Sequence, residues 1–178
     1  AGHRLQAVTG FAPVRAPVED EGVPRRAEQY GLDGIVDLHV HLLPPGLQHR
    51  IWEYFDAAET ALGRPWPIRY RWPVEALVAH LRSMRVQRFS TMPYAHRPGI
   101  AADLCQYSLD LAAQHPDVLP TLTFYPERDV ESYVANALAH GARVGWSGWT
   151  STSGSPQMTT LTSLGGRAIT LRGSSPFV

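Results

Sequence analysis

From Gly34 the chain reads Ile35-Val36-Asp37-Leu38-His39-Val40-His41-Leu42 and then meets Pro44-Pro45-Gly46. A short run rich in β-branched residues, bounded by glycine and proline, predicts a buried strand over these eight positions. The stretch from about Leu47 to Leu62 predicts a helical connection, broken by Gly63, Pro65 and Pro67. After Pro73, apolar residues recur at Val74, Leu77, Val78, Leu81 and Met84. That is the spacing of an amphipathic helix with proline in its first turn. Arg88 to Tyr94 predicts a second strand, Gly99 to His115 a second helix ended by Pro116, and Val118 to Tyr125 a third strand. Asp129 predicts the cap of a helix that runs to Ala139 and is closed by Gly141, and Ala142-Arg143-Val144 opens a fourth strand.

Strands alternating with helices imply an α/β fold with a parallel sheet, and continuous apolar strands suit burial on both faces. Two architectures share that order: part of a (β/α)8 TIM-type barrel, and an open doubly wound sheet. A whole barrel takes about 250 residues, so about four β/α units would be half of one. Two flanks differ in texture. Residues 1–30 are polar and interrupted by proline, with the charge run Glu19-Asp20-Glu21 and the pair Arg25-Arg26. Without an apolar run of signal type, they read as an N-terminal extension with little structure of its own. The β/α pattern fills 31–146. In 147–178, 13 of 32 residues are Ser or Thr, no helical period appears and no acidic residue occurs. This predicts an irregular Ser/Thr/Gly-rich tail.

Composition narrows the function. The 16 basic and 16 acidic residues cancel, which argues against a nucleic-acid partner. No stretch approaches the ~18 apolar residues of a membrane span. A cytoplasmic protein with a small-molecule substrate is an expectation that rests on the family resemblance given below, not on composition. A single cysteine excludes an intrachain disulfide and a multi-cysteine zinc site. All 16 basic residues are arginine, so chemistry that needs a lysine of this chain is excluded: a Schiff base, a P-loop lysine, a carboxylated-lysine metal bridge. The last carboxylate side chain is Glu131.

Asp37-Leu38-His39-Val40-His41 carries the strongest chemical signal. Residues two apart on a strand face the same way, so Asp37, His39 and His41 share a face and both imidazoles can reach one ion. Histidines at that spacing suit zinc or a similar divalent metal. They sit at the carboxyl end of a strand, where parallel α/β folds place their working sites. Asp37, deeper in the strand, is the candidate to orient a histidine from behind. Tyr94 and His96 after the second strand, and Tyr125 at the end of the third, are candidate pocket-lining residues. Trp52, Tyr54 and Phe55 read as aromatics buried by the first connecting helix. His80, His115 and Cys105 read as structural.

The run Gly34-Ile-Val-Asp-Leu-His-Val-His resembles the opening strand of the amidohydrolase-related superfamily, in the branch that holds the aminocarboxymuconate-semialdehyde decarboxylase-like enzymes. Pro73-Val-Glu-Ala-Leu is similar to its first barrel helix, Phe89-Ser-Thr-Met-Pro-Tyr-Ala-His to its second strand, and His115-Pro-Asp-Val-Leu-Pro to the lead into the third. The likeness spans about Gly31 to Val144. It implies a metal-dependent hydrolase, or a nonhydrolytic decarboxylase of the same superfamily. It implies a divalent ion, taken as one zinc, held by the His-x-His pair, by histidines of the fifth and sixth strands and by an aspartate of the eighth. Only the first two ligands carry over, to His39 and His41. The last histidine is His140 and no carboxylate follows Glu131. The isolated chain is therefore expected to be poorly active, or an inactive half-barrel prone to self-association through its exposed edges.

Past Val144 the family continues with a Lys-Val-His type strand, whereas this chain reads Gly145-Trp146-Ser147-Gly148-Trp149. A shifted reading frame is the hypothesis that would account for the break. With G or C at the wobble positions, reading from the third base of Gly148 yields Leu-Asp-Val-His-Leu-Arg-Val and then an acidic run. The nucleotide sequence of the locus is expected to carry that run in the alternative frame; bases that encode no such run would dismiss the frameshift.

Overall fold

The computed structural model describes residues 19–65, 67–146, 158–164 and 167–173. Among them, the strand that anchors the rest is β2 (Val86–Ser90), with β1 (Ile35–Asp37) parallel on one side and β3 (Val118–Leu119) parallel on the other. Helix α4 (Val74–Ser83) lies on the chain path from β1 to β2, and α5 (Ala101–Gln114) on that from β2 to β3. Pro120 has no N–H to give a ladder. One residue later β4 (Thr121–Thr123) begins a second sheet, pairing in parallel with β5 (Val144–Trp146) across α6 (Val130–Ala139). The third strand expected over Val118 to Tyr125 is thus two short strands in two sheets. Sequential strands lie side by side in a mixed α/β arrangement.

Two apolar clusters follow from the helix patterns. Val78 and Leu81 of α4 meet Leu42, Val86, Phe89, Leu111 and Val118. Leu104 and Cys105 of α5 meet Leu122, Tyr133, Ala137 and Ala142. Helix α5 therefore sends one turn into each cluster. Where it passes β3 and β4 it also presents a buried hydroxyl. Ser108 Oγ lies 2.6 Å from Thr91 Oγ1 and accepts the Thr121 N–H at 2.8 Å. Thr91 Oγ1 lies 2.7 Å from Thr121 Oγ1. Side-chain hydroxyls thus satisfy backbone at the place where proline interrupts the ladder.

Several expectations change. Regular pairing in the first strand covers Ile35–Asp37 only. Val36 and Leu38 are 57% and 52% exposed, not buried. Among the described residues β1 has a strand on one side only, and Asp37 Oδ1 accepts the His39 N–H at 2.9 Å. That local turn competes with continued pairing. The first connection is two helices, α2 (Pro45–Asp56) and α3 (Ala58–Leu62), and Tyr54 is 56% exposed rather than packed away.

The N-terminal extension is not devoid of structure. Residues 1–18 lie outside the described set, but α1 (Gly22–Gln29) is helical. It is docked where Asp20 accepts the Tyr70 hydroxyl at 2.6 Å and pairs with His80 Nε2 at 3.0 Å, and where Arg85 reaches Glu28 at 2.6 Å. The tail is not irregular throughout: β6 (Met158–Leu164) and β7 (Arg167–Gly173) pair antiparallel, and β6 pairs antiparallel with β5. Threonine is β-branched and suits a strand as well as a loop, so a count of Ser and Thr misreads it. Of the stretch Gly148 to Thr162, on which the frameshift expectation rests, residues 148–157 lie outside the described residues.

The hydroxyl network makes a stability prediction. Ser108→Ala leaves the buried Thr121 N–H and one Thr91 bond without a partner, at a cost of about 1–3 kcal/mol. Urea unfolding should show a lower midpoint with an unchanged slope; an unshifted midpoint would mean the network is not holding the sheets.

Candidate functional site

The site forms where β1 and β2 end. Asp37 turns the chain by accepting the His39 N–H, and the segment beyond is tied along the end of β2. Val40 N–H reaches Ser90 Oγ at 3.3 Å and Leu42 N–H reaches the Thr91 carbonyl at 2.9 Å. Val40 and Leu42 pack toward the core, so His39 and His41, alternating with them, stand on the exposed side. The two rings meet edge to face, with centroids 5.1 Å apart and planes at 85°.

His41 Nδ1 lies 2.8 Å from the carbonyl oxygen of Met92. A carbonyl only accepts, so Nδ1 carries the proton and Nε2 is the lone-pair atom of the neutral ring. The row of rings continues. Tyr94 stands edge to face with His41 at 6.2 Å, and His96 with Tyr94 at 6.3 Å. His39, His41 and Tyr94 are thus in successive ring contact, and His96 joins the row through Tyr94, one ring beyond the histidine pair. Asp37 acts on the main chain of His39, so it positions that residue through its backbone. Tyr125 stands apart from the row: its ring packs on the cluster of Leu104, Leu122 and Tyr133, and both its N–H and its carbonyl are bonded to the Tyr133 hydroxyl.

Electrostatics follow from this placement. Protein crowds the His41 ring on the strand side and pushes its pKa below the ordinary histidine value; the His39 charge adds to this and the bond to Met92 opposes it. Desolvation raises the Tyr94 hydroxyl, as does the neighbouring Tyr54, which places α2 beside the row. Tyr94 therefore keeps its proton at neutral pH. Cys105 is held off reactivity: burial raises its pKa, and its Sγ sits 3.2 Å from the Thr123 carbonyl. His80 pairs with Asp20, and His115 pairs with Glu75 at 3.1 Å, both as structural contacts.

As a metal site the row is partial. His39 and His41 can supply two imidazole donors, but among the described residues no group of three or more His, Cys, Asp or Glu side chains could hold an ion. The participant that sequence reading missed is Met92, which acts through a main-chain atom that no residue pattern marks. No family model matches the chain, and no curated protein or solved structure matches it significantly.

In metal-free protein, His41 should titrate below the ordinary value of about 6.5. A folded-state pKa below the unfolded one means that the unfolded chain binds the proton more tightly. The His41 contribution to stability is then complete above about pH 6.5 and is lost as pH falls toward the folded pKa. Histidine proton shifts followed from pH 8 to 5 check this; a His41 midpoint at or above the ordinary value contradicts it.

Proposed function

We propose that this chain carries part of the metal site of an amidohydrolase-type hydrolase, with one divalent ion, taken as zinc, held partly by His39 and His41. The observation that carries the reading is the pair of exposed imidazoles at the carboxyl end of β1, with the proton of His41 on Nδ1. A bound divalent ion would supply an acidified water and polarise the scissile group of a small-molecule substrate. The protein's own groups have narrower tasks. His41 offers Nε2 as donor, and the Asp37 carboxylate holds the His39 backbone in place. The protonated Tyr94 can donate a hydrogen bond to a substrate oxygen. Sequential parallel strands lie side by side within each sheet, as at the opening of a (β/α)8 barrel, although β6 then pairs antiparallel with β5, where a barrel would continue with a parallel strand. Among the described residues no helix is long and apolar enough to cross a membrane.

A second reading has its own support. Val36 and Leu38 lie exposed on β1, and no third ligand stands near the histidines among the described residues. Both suit a half-barrel without turnover that associates through β1. A decarboxylase of the same superfamily would use the same two histidines.

Elemental analysis of chain purified with zinc in the buffer and then dialysed tests the metal reading. Wild-type chain should retain zinc, about one ion where a partner copy completes the ligand set, and the His39→Ala/His41→Ala double variant should retain none. Equal zinc in both, or none in either, rejects the metal site and leaves the half-barrel.

A further inference from the structure

We infer that the main-chain carbonyl of Met92 is a positioning group, which holds His41 in the Nδ1–H form so that its Nε2 atom is the one presented to a ligand. The inference deepens the reading of His41 as a metal donor, but its geometry stands independently of any metal.

Met92 has φ +28°, a conformation that side-chain-bearing residues rarely adopt. It precedes Pro93, which further restricts its backbone. A residue held in such a region persists only when its surroundings over-determine it, and here they do. On one side Thr91 is fixed three ways: its carbonyl accepts the Leu42 N–H, and its hydroxyl bonds to Ser108 and Thr121. On the other side the Ala95 N–H is held by Thr123 Oγ1 at 3.0 Å. The Met92 side chain is 5% exposed and Pro93 is fully buried, so neither can swing outward to relax the bend. β2 ends at Ser90, just before the first clamp, and between the two clamps the Met92 carbonyl faces His41 Nδ1.

The chemical consequence concerns which nitrogen is available. An isolated neutral histidine favours the Nε2–H tautomer, which would offer Nδ1, the atom nearest the backbone. The Met92 carbonyl reverses that preference. It fixes the ring plane and adds basicity at Nε2, as partners of metal-bound histidines do. The occupant expected at Nε2 is a divalent cation, and zinc is the probe.

Long-range ¹H–¹⁵N correlation spectra of metal-free protein, taken above the His41 titration, read the tautomer directly. His41 should show an unprotonated Nε2 and a protonated Nδ1. A dominant Nε2–H form in the wild type overturns the inference, whatever any variant does. A variant pair adds a second readout. Met92→Leu keeps an unbranched β-carbon and should leave the tautomer as it is. Met92→Ile places a β-branched residue where φ is positive and should yield mixed tautomers, with zinc affinity about 10–100-fold weaker. A tautomer that is Nδ1–H in the wild type and mixed in Met92→Ile upholds the inference even if zinc binds to neither, in which case only the metal reading fails. Zinc that binds to an Nε2–H ring leaves the metal reading intact and removes Met92 from it.

Discussion

The hydroxyl cluster of Thr91, Ser108 and Thr121 bears more of this architecture than its size suggests. Proline at 120 removes a donor where β3 would otherwise run into β4, and Thr91, Ser108 and Thr121 are fully buried there, away from water. Three small polar side chains meet there: Thr91 just after β2, Ser108 of α5 and Thr121 at the start of β4. Each is fully buried, and every buried side-chain donor and acceptor among the described residues has a partner. The cluster ties together three elements that belong to two apolar clusters, with α5 spanning both.

The site grows out of the same place. Thr91 is the residue before Met92, so the bonds that close the sheet also fix where β2 ends and how the next carbonyl is turned. That carbonyl sets His41, and His41 stands against His39 and Tyr94. The chain of causes runs from buried hydroxyls that bond one another and the Thr121 N–H beside Pro120, to a fixed strand end, to an imidazole with a defined donor atom. Rigid support of this kind suits a site whose chemistry depends on the direction of a lone pair.

The row His39, His41, Tyr94 and His96 is chemically mixed. It combines an imidazole held toward its neutral form with a phenol that keeps its proton. The described residues provide no carboxylate or third histidine to complete a metal shell, and this asymmetry is why an amidohydrolase-type reading and an inactive half-barrel reading both draw support from one geometry.

Local pattern alone determined much of this protein. The helices α4, α5 and α6 lie within a residue or two of where periodicity, Pro73, Pro116 and Gly141 place them, because a helix face is written at short range. The histidine pair was legible because its spacing is written in three consecutive residues, although His39 and His41 follow β1 and do not lie on it. Tertiary structure decided the rest. The exposure of Val36 and Leu38 depends on what lies beside β1, and the helix at Gly22–Gln29 is held by partners such as Tyr70 and His80. The threonine-rich strands β6 and β7 depend on pairing with each other and with β5. The Met92 carbonyl meets a ring 51 positions away in sequence, through a backbone angle that no side-chain pattern encodes. Short-range pattern specifies which elements form, but which donor finds which acceptor is settled only when the elements pack and every buried polar group must have a partner.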